Sequence, residues 1–318
     1  HNWTRGGYGA IDVTKVLMVS SNIGVSRLID ENYHDHPEKF VEGLYKLGLS
    51  TPLELDIPGA AKKPNIRMPN KDNWSKTALA WMSIGYETQV PPINTLTFYN
   101  AIANDGVMVK PKFVKSIVKD GEVVEEVPTK VLNPSIASSK TIDQIQTILE
   151  KVVSEGLGKR AGSKQFSVSG KTGTAQVSQG RDGYKSGVMH YLVSFCGYFP
   201  SEAPKYSCIV AIQKRGLPAS GGQMAGKVFS EIAERVYAKH LATQIITTAI
   251  TGTTYRMTVA RLAFIFSAMM IAPIIIPGAR SSIIKAIRVK FCSWVTSLVR
   301  RVTREPVLKL SMFANEKS

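Results

Sequence analysis

Ser169-Gly170-Lys171-Thr172-Gly173-Thr174 sits inside a strand-like run, Phe166 to Val177, and carries the densest chemistry in the chain. A lysine on a strand beside hydroxyl side chains can hold a carboxylate, the ammonium acting as a compact point charge and Thr172 and Thr174 as hydrogen-bond donors. Gly173 removes a side chain where a ligand backbone must approach closely. An extended peptide can therefore add to this strand and have its terminal carboxylate held by Lys171. By itself the same segment also reads as an ordinary exposed strand with a glycine bulge.

Two further strands follow, His190 to Phe199 and Tyr206 to Lys214, joined by a turn at residues 201–205. Gly221 to Lys239 then reads as a closing helix with Val228, Ile232 and Val236 on one face. Upstream, Thr141 to Val153 is helical by pattern, and Phe113 to Val118 and Val123 to Val127 form a hairpin about Asp120-Gly121. Ile93 to Ala103 is a helix opened by Pro91-Pro92 and stopped at Asn104-Asp105-Gly106, and His36-Pro37-Glu38 opens another whose apolar face is Phe40, Val41, Leu44 and Leu47. Residues 59–72, rich in Pro, Gly and Asn, read as irregular. Between Ile11 and Ile29 the apolar spacing gives two helical pieces with a polar joint at Ser20-Ser21-Asn22. Helices, then consecutive strands, then a helix predict an α+β fold around an antiparallel sheet.

A chain of 318 residues with 44% hydrophobic and 20% charged residues folds and is not of low complexity. Three cysteines without metal-ligand spacing and five scattered histidines indicate neither a disulfide framework nor a metal site, and no cofactor is called for. The net charge of +16 would suggest nucleic acid if it were spread evenly. It is not: residues 245–318 hold 11 basic against 2 acidic residues, leaving +7 for residues 1–244, so no nucleic-acid partner is expected. The chain opens at His1 without Met or an apolar leader and reads as a piece of something longer.

Taken alone, Ser20-Ser21-Asn22 is either a hydroxyl and amide pair on a polar edge or a helix cap. Taken with K-T-G it resembles the penicillin-binding proteins, whose active-site elements are S-x-x-K, S-x-N and K-T-G. Gly7-Tyr8-Gly9, Tyr45-Leu47-Gly48-Leu49, Ser83-Ile84-Gly85-Tyr86 before Pro91-Pro92, Ala103-Asn104-Asp105-Gly106 and Ser194-Phe195-Gly197-Tyr198-Pro200 extend the likeness over about residues 5–241. It is most similar to the monofunctional class B transpeptidases of cell division or elongation. The resemblance implies a peptidoglycan D,D-transpeptidase of the bacterial cell envelope, on the extracytoplasmic face of the inner membrane. Its partners would be D-Ala-D-Ala stem peptides, β-lactams and division or elongation proteins, and it needs no cofactor. It also implies roles: Ser20 relays protons, Asn22 binds the substrate peptide group, Lys171 and Thr172 bind the carboxylate, and Gly173 leaves room for it. Thr174 supplies an oxyanion-hole N–H, and its hydroxyl reaches the carboxylate.

No S-x-x-K precedes Ser20, and the two matches elsewhere, Ser116 to Lys119 and Ser282 to Lys285, lie in a strand and in the tail, so the nucleophile is expected upstream of this segment. The family sheet being five-stranded with its first two strands before the nucleophile, Tyr206 to Lys214 should present an open edge. Residues 1–244 would thus be a partial transpeptidase domain and residues 245–318 a basic tail. Within that tail, Leu262 to Ile276 is apolar but too short to span a bilayer, and the residues from Ile284 to Val302 have the pattern of a basic amphipathic helix. The tail is either a membrane-surface anchor or foreign to the domain, and a membrane link through a missing N-terminal anchor is the alternative. Competing functions are a non-catalytic binding module for β-lactams or peptidoglycan, and a β-lactamase-like sensor.

Overall fold

β8, His190–Phe199, organises the molecule because it is apolar on both faces, as a strand covered from both sides must be. It pairs antiparallel with β7, Ser169–Val177, and with β9, Tyr206–Arg215, giving the order β7-β8-β9. The computed structural model describes residues 6–55, 57, 62–70, 74–178 and 188–251. The chain divides into two compact units, His1–Ala238 and Lys239–Ser318, and the sheet lies wholly in the first.

In order along the chain, α1 is Val13–Met18, α2 Asn22–Tyr33 and α3 Pro37–Lys46. Next come β1 Asn65–Ile66, α4 Ala78–Ser83, β2 Thr88–Gln89, α5 Pro92–Ala103, β3 Met108–Val109 and the hairpin of β4, Ser116–Lys119, with β5, Glu122–Glu126. β6, Val131–Asn133, and α6, Ser139–Ser154, lead into the three-stranded sheet, and α7, Gly226–Thr251, follows a π turn at Gly221–Ala225. The α+β antiparallel architecture read from the pattern is the one observed. The hairpin turns on Asp120 and Gly121, both at positive φ, with Lys119 paired to Glu122.

Alternation along β8 sends Phe195 and Phe199 to one face, where they meet Phe229 and Ala233 of α7, and Tyr198 to the other, against Ala101 and Ile102 of α5 and Ile142 and Leu149 of α6. Phe195 and Phe229 stand edge to face with centroids 4.7 Å apart, a geometry that adds about 1 kcal/mol to the area each ring buries. The closing helix is therefore corrected in its rotation. Its packed row is Ala225, Phe229 and Ala233 with Val236 and Tyr237 beside it, while Val228 and Ile232 are 39% and 38% exposed. Phe229, fully buried against Phe195 and Phe199, sets the row that faces the sheet.

Residues 59–72 are less irregular than expected where they are described, because Asn65 and Ile66 pair with Gln89 and Thr88. Among the described residues β9 pairs with β8 only, so its other edge is open, as the sequence led us to expect. No helix among the described residues is long and apolar enough to cross a membrane, and no group of three His, Cys, Asp or Glu is placed to hold a metal. The predicted tail features at residues 262–276 and 284–302 lie outside the described residues.

Candidate active site

The polar joint between α1 and α2 assigns different tasks to its two serines. Ser21 has extended backbone and caps α2, its Oγ accepting from the Gly24 N–H at 3.1 Å. Ser20, one residue earlier, is held at φ 49°, the left-handed region that costs a non-glycine residue about 1 kcal/mol. That turn frees its hydroxyl from the helix. Lys171 Nζ donates to Ser20 Oγ at 2.8 Å, across 151 positions of sequence.

Lys171 also donates to the Thr172 carbonyl at 3.1 Å and reaches the Thr172 hydroxyl at 3.4 Å. All of these partners are neutral, and Lys171 forms no salt bridge among the described residues. Burial without a counter-charge lowers its pKa from 10.5 to about 8. A half-buried lysine whose ammonium meets only neutral acceptors is a site that gains by receiving an anion.

Gly173 follows on the same strand, opposite Ser194 of β8. A Cβ there would come within 2.5 Å of Ser194 Oγ, so any larger residue would have to turn that hydroxyl aside. Thr174 is exposed, and its Oγ1 accepts from the Gly221 N–H of the π turn at 3.0 Å. With its lone pair engaged, the Thr174 hydroxyl keeps its proton for an outside acceptor. Asn22 lies in the first turn of α2, two residues after Ser20, and makes no side-chain hydrogen bond among the described residues.

Ser20, Lys171 and Thr172 are thus joined by hydrogen bonds, Gly173 and Thr174 continue the same strand, and Asn22 stands close by in sequence without a link to them. Two contributors carry no role in the sequence reading. Gly221 orients Thr174, and Tyr86, whose hydroxyl accepts from the backbone N–H of Gln176 at 3.1 Å, reaches β7 from the segment between α4 and β2. Both lie in stretches with a visible signal, Gly221-Gly222 and Gly85-Tyr86, but nothing in a linear pattern says which strand they touch. Of the rejected nucleophiles, Ser116 is in β4 with Lys119 three positions on, which places the two on opposite faces of the strand, and Ser282 lies outside the described residues. A cavity of about 600 Å³ lined by Glu150, Lys159, Lys164, Phe166 and Glu234 contains none of the site residues.

The family model of the penicillin binding protein transpeptidase domain matches residues 1–234. Penicillin-binding protein PbpB of Mycolicibacterium smegmatis is 30% identical over 238 residues, covering 71% of this chain and 35% of its own. Stage V sporulation protein D of Bacillus subtilis is 28% identical over 235 residues, covering 72% and 34%. Among solved structures, penicillin binding protein 3 of Mycobacterium tuberculosis in complex with aztreonam superposes with a TM-score of 0.64 at 28% identity, covering 76% of this chain and 54% of that one. The chain spans about a third of the length of the curated relatives it matches.

Proposed function

Because the chain belongs to the penicillin-binding protein transpeptidase family, we propose that it is the C-terminal part of a peptidoglycan D,D-transpeptidase domain that acts through an acyl-enzyme on D-Ala-D-Ala stem peptides. The observation that carries the reading is the 2.8 Å hydrogen bond from Lys171 to Ser20, which joins the K-T-G strand to the S-x-N joint. In this reading a serine hydroxyl attacks the carbonyl carbon of the penultimate D-Ala, the new C–O bond forms, and the C–N bond to the terminal D-Ala breaks. The hydroxyl proton passes through Ser20 to the departing amine. Lys171 and Thr172 hold the terminal carboxylate, and Asn22 binds the peptide group upstream.

The oxyanion of the tetrahedral intermediate needs a preorganised donor, and the backbone N–H of Thr174 is that donor. The Gln176 N–H turns away from β8 to reach Tyr86, and N–H groups two residues apart on a strand point the same way. The Thr174 N–H therefore also faces the edge of β7 away from β8, which pairs with no other strand among the described residues. In this reading the attacking serine and its lysine partner belong to an S-x-x-K element that precedes S-x-N in the family order, and Ser116 and Lys119 do not fit it because they stand on a strand.

The place of action is the extracytoplasmic side of the cell envelope, with division or elongation proteins as partners and the basic residues 245–318 as a membrane-surface element. Labelling with a fluorescent penicillin tests the assignment. The 318-residue chain should take no covalent label, a chain extended upstream to include S-x-x-K should be acylated stably, and Lys171→Ala in the longer chain should slow acylation. An upstream segment without S-x-x-K, or covalent label at Ser116 or Ser282, refutes it. The first of these outcomes identifies a non-catalytic β-lactam-binding module instead, and rapid release of the label by the longer chain identifies a β-lactamase-like sensor.

A further inference from the structure

Among the described residues the edge of β7 away from β8 pairs with no other strand, and at one position a side chain meets it. In an antiparallel strand the N–H and C=O of a residue point to the same side, and the side alternates from residue to residue. Gln176 donates its N–H to Tyr86 Oη at 3.1 Å, so Gln176, Thr174 and Thr172 face away from β8 while Lys171, Gly173 and Ala175 face it. The 3.1 Å contact from Lys171 Nζ to the Thr172 carbonyl independently places that carbonyl away from β8.

Tyr86 is held in place rather than draped over the edge. Gly85, at φ +96°, turns the chain after α4, and the Tyr86 N–H donates to the Trp81 carbonyl at 3.1 Å. Its ring meets the Trp81 indole edge to face, with centroids 5.3 Å apart and planes at 87°. A rigid aromatic ring therefore fixes the hydroxyl at the edge position that follows Thr174, about 7 Å further along the strand.

We infer that Tyr86 sets the length of the acyl donor that can pair with β7. An extended peptide added to this edge finds backbone positions at Thr172 and Thr174 and must displace the Tyr86 hydroxyl to pair at Gln176. The inference rests on the transpeptidase reading and makes Tyr86 a specificity-determining residue: it favours donors whose extended part stops at Thr174 over α-linked donors that continue in strand conformation. Tyr86→Phe keeps the ring against Trp81 and removes the hydroxyl that competes for the Gln176 N–H.

The test compares reversible binding of N-acetyl-D-Ala-D-Ala and of acetyl-Gly-Gly-Gly-D-Ala-D-Ala to the 318-residue chain and to its Tyr86→Phe variant, with amide hydrogen exchange at Gln176 read in the free proteins. Exchange at Gln176 should accelerate in the variant. The pentapeptide should gain about 3- to 10-fold in affinity from one new backbone hydrogen bond, and the dipeptide should stay within about twofold. A merely structural role for Tyr86 would move both peptides together, and that result overturns the inference, as does an unchanged ratio. Tyr86→Leu, which also lacks the hydroxyl, must give the same change in ratio and is decisive should Tyr86→Phe fold poorly. If the wild-type chain binds the dipeptide and the ratio is insensitive to both substitutions, only the length selection falls. If it binds neither peptide, the D-Ala-D-Ala reading itself falls.

Discussion

Raising the pH from 7 to 9 should remove most of the ability of this site to hold a carboxylate, because Lys171 changes charge within that interval. Burial brings its pKa to about 8, so the side chain is about nine-tenths charged at pH 7 and about one-tenth charged at pH 9. A peptide carboxylate stays ionised throughout. If it is bound through the ammonium, its apparent Kd should rise about tenfold over these two units, and isothermal titration of N-acetyl-D-Ala-D-Ala into the chain measures it. Unfolding cannot mimic the loss. The folded-state pKa lies below the ordinary value of 10.5, so between pH 8 and 10.5 the unfolded chain binds the extra proton and this group makes the fold more stable as the pH rises. Lys171→Arg, which keeps its charge at every pH used, should bind with a flat profile, and Lys171→Met should bind weakly throughout. A wild-type Kd that is level from pH 7 to 9, or an arginine variant with the same tenfold rise, would refute the assignment of the carboxylate to Lys171.

Phe229→Ala should lower the unfolding free energy by about 3–5 kcal/mol in urea denaturation, since the ring is fully buried between Phe195 and Phe199 and nothing can collapse into its place. Gly221→Ala should cost about 1–3 kcal/mol and weaken ligand binding together, because the new Cβ overlaps the carbonyl oxygen of Gly173 and lies 2.5 Å from that of Ser194, forcing the π turn away from Thr174. Equal stability of that variant by thermal unfolding would show that the turn has room to move. Deleting residues 245–318 should release the protein from anionic vesicles while its near-ultraviolet circular dichroism is retained, and equal vesicle binding by the two chains would remove the membrane role of the tail.

Ser20 and Ser21 show how far the sequence could be read and where it stopped. The order of S-x-N and K-T-G, the strand pattern around Lys171 and the helix starts at Pro37 and Pro92 were all legible, because turn chemistry and periodicity are local. The rotation of α7, the short β1–β2 pairing and the approach of Tyr86 to Gln176 were not, because each is decided by a partner distant in the chain. Two adjacent serines at a joint could each be cap or site residue, and only the backbone separates them: Ser21 is extended and bonds Gly24, while Ser20 is left-handed and bonds Lys171. The division predicts opposite responses. Ser21→Ala should lower stability by about 1 kcal/mol through the lost cap and leave the pH midpoint of ligand binding where it is. Ser20→Gly removes the hydroxyl that Lys171 Nζ meets at 2.8 Å and changes how far that ammonium is desolvated, so the midpoint should move from about 8, while glycine takes the positive φ without strain. Binding profiles over pH 6 to 9 for the two variants decide the matter, and a displaced midpoint in Ser21→Ala with an unmoved one in Ser20→Gly would reverse the assignment of the two hydroxyls.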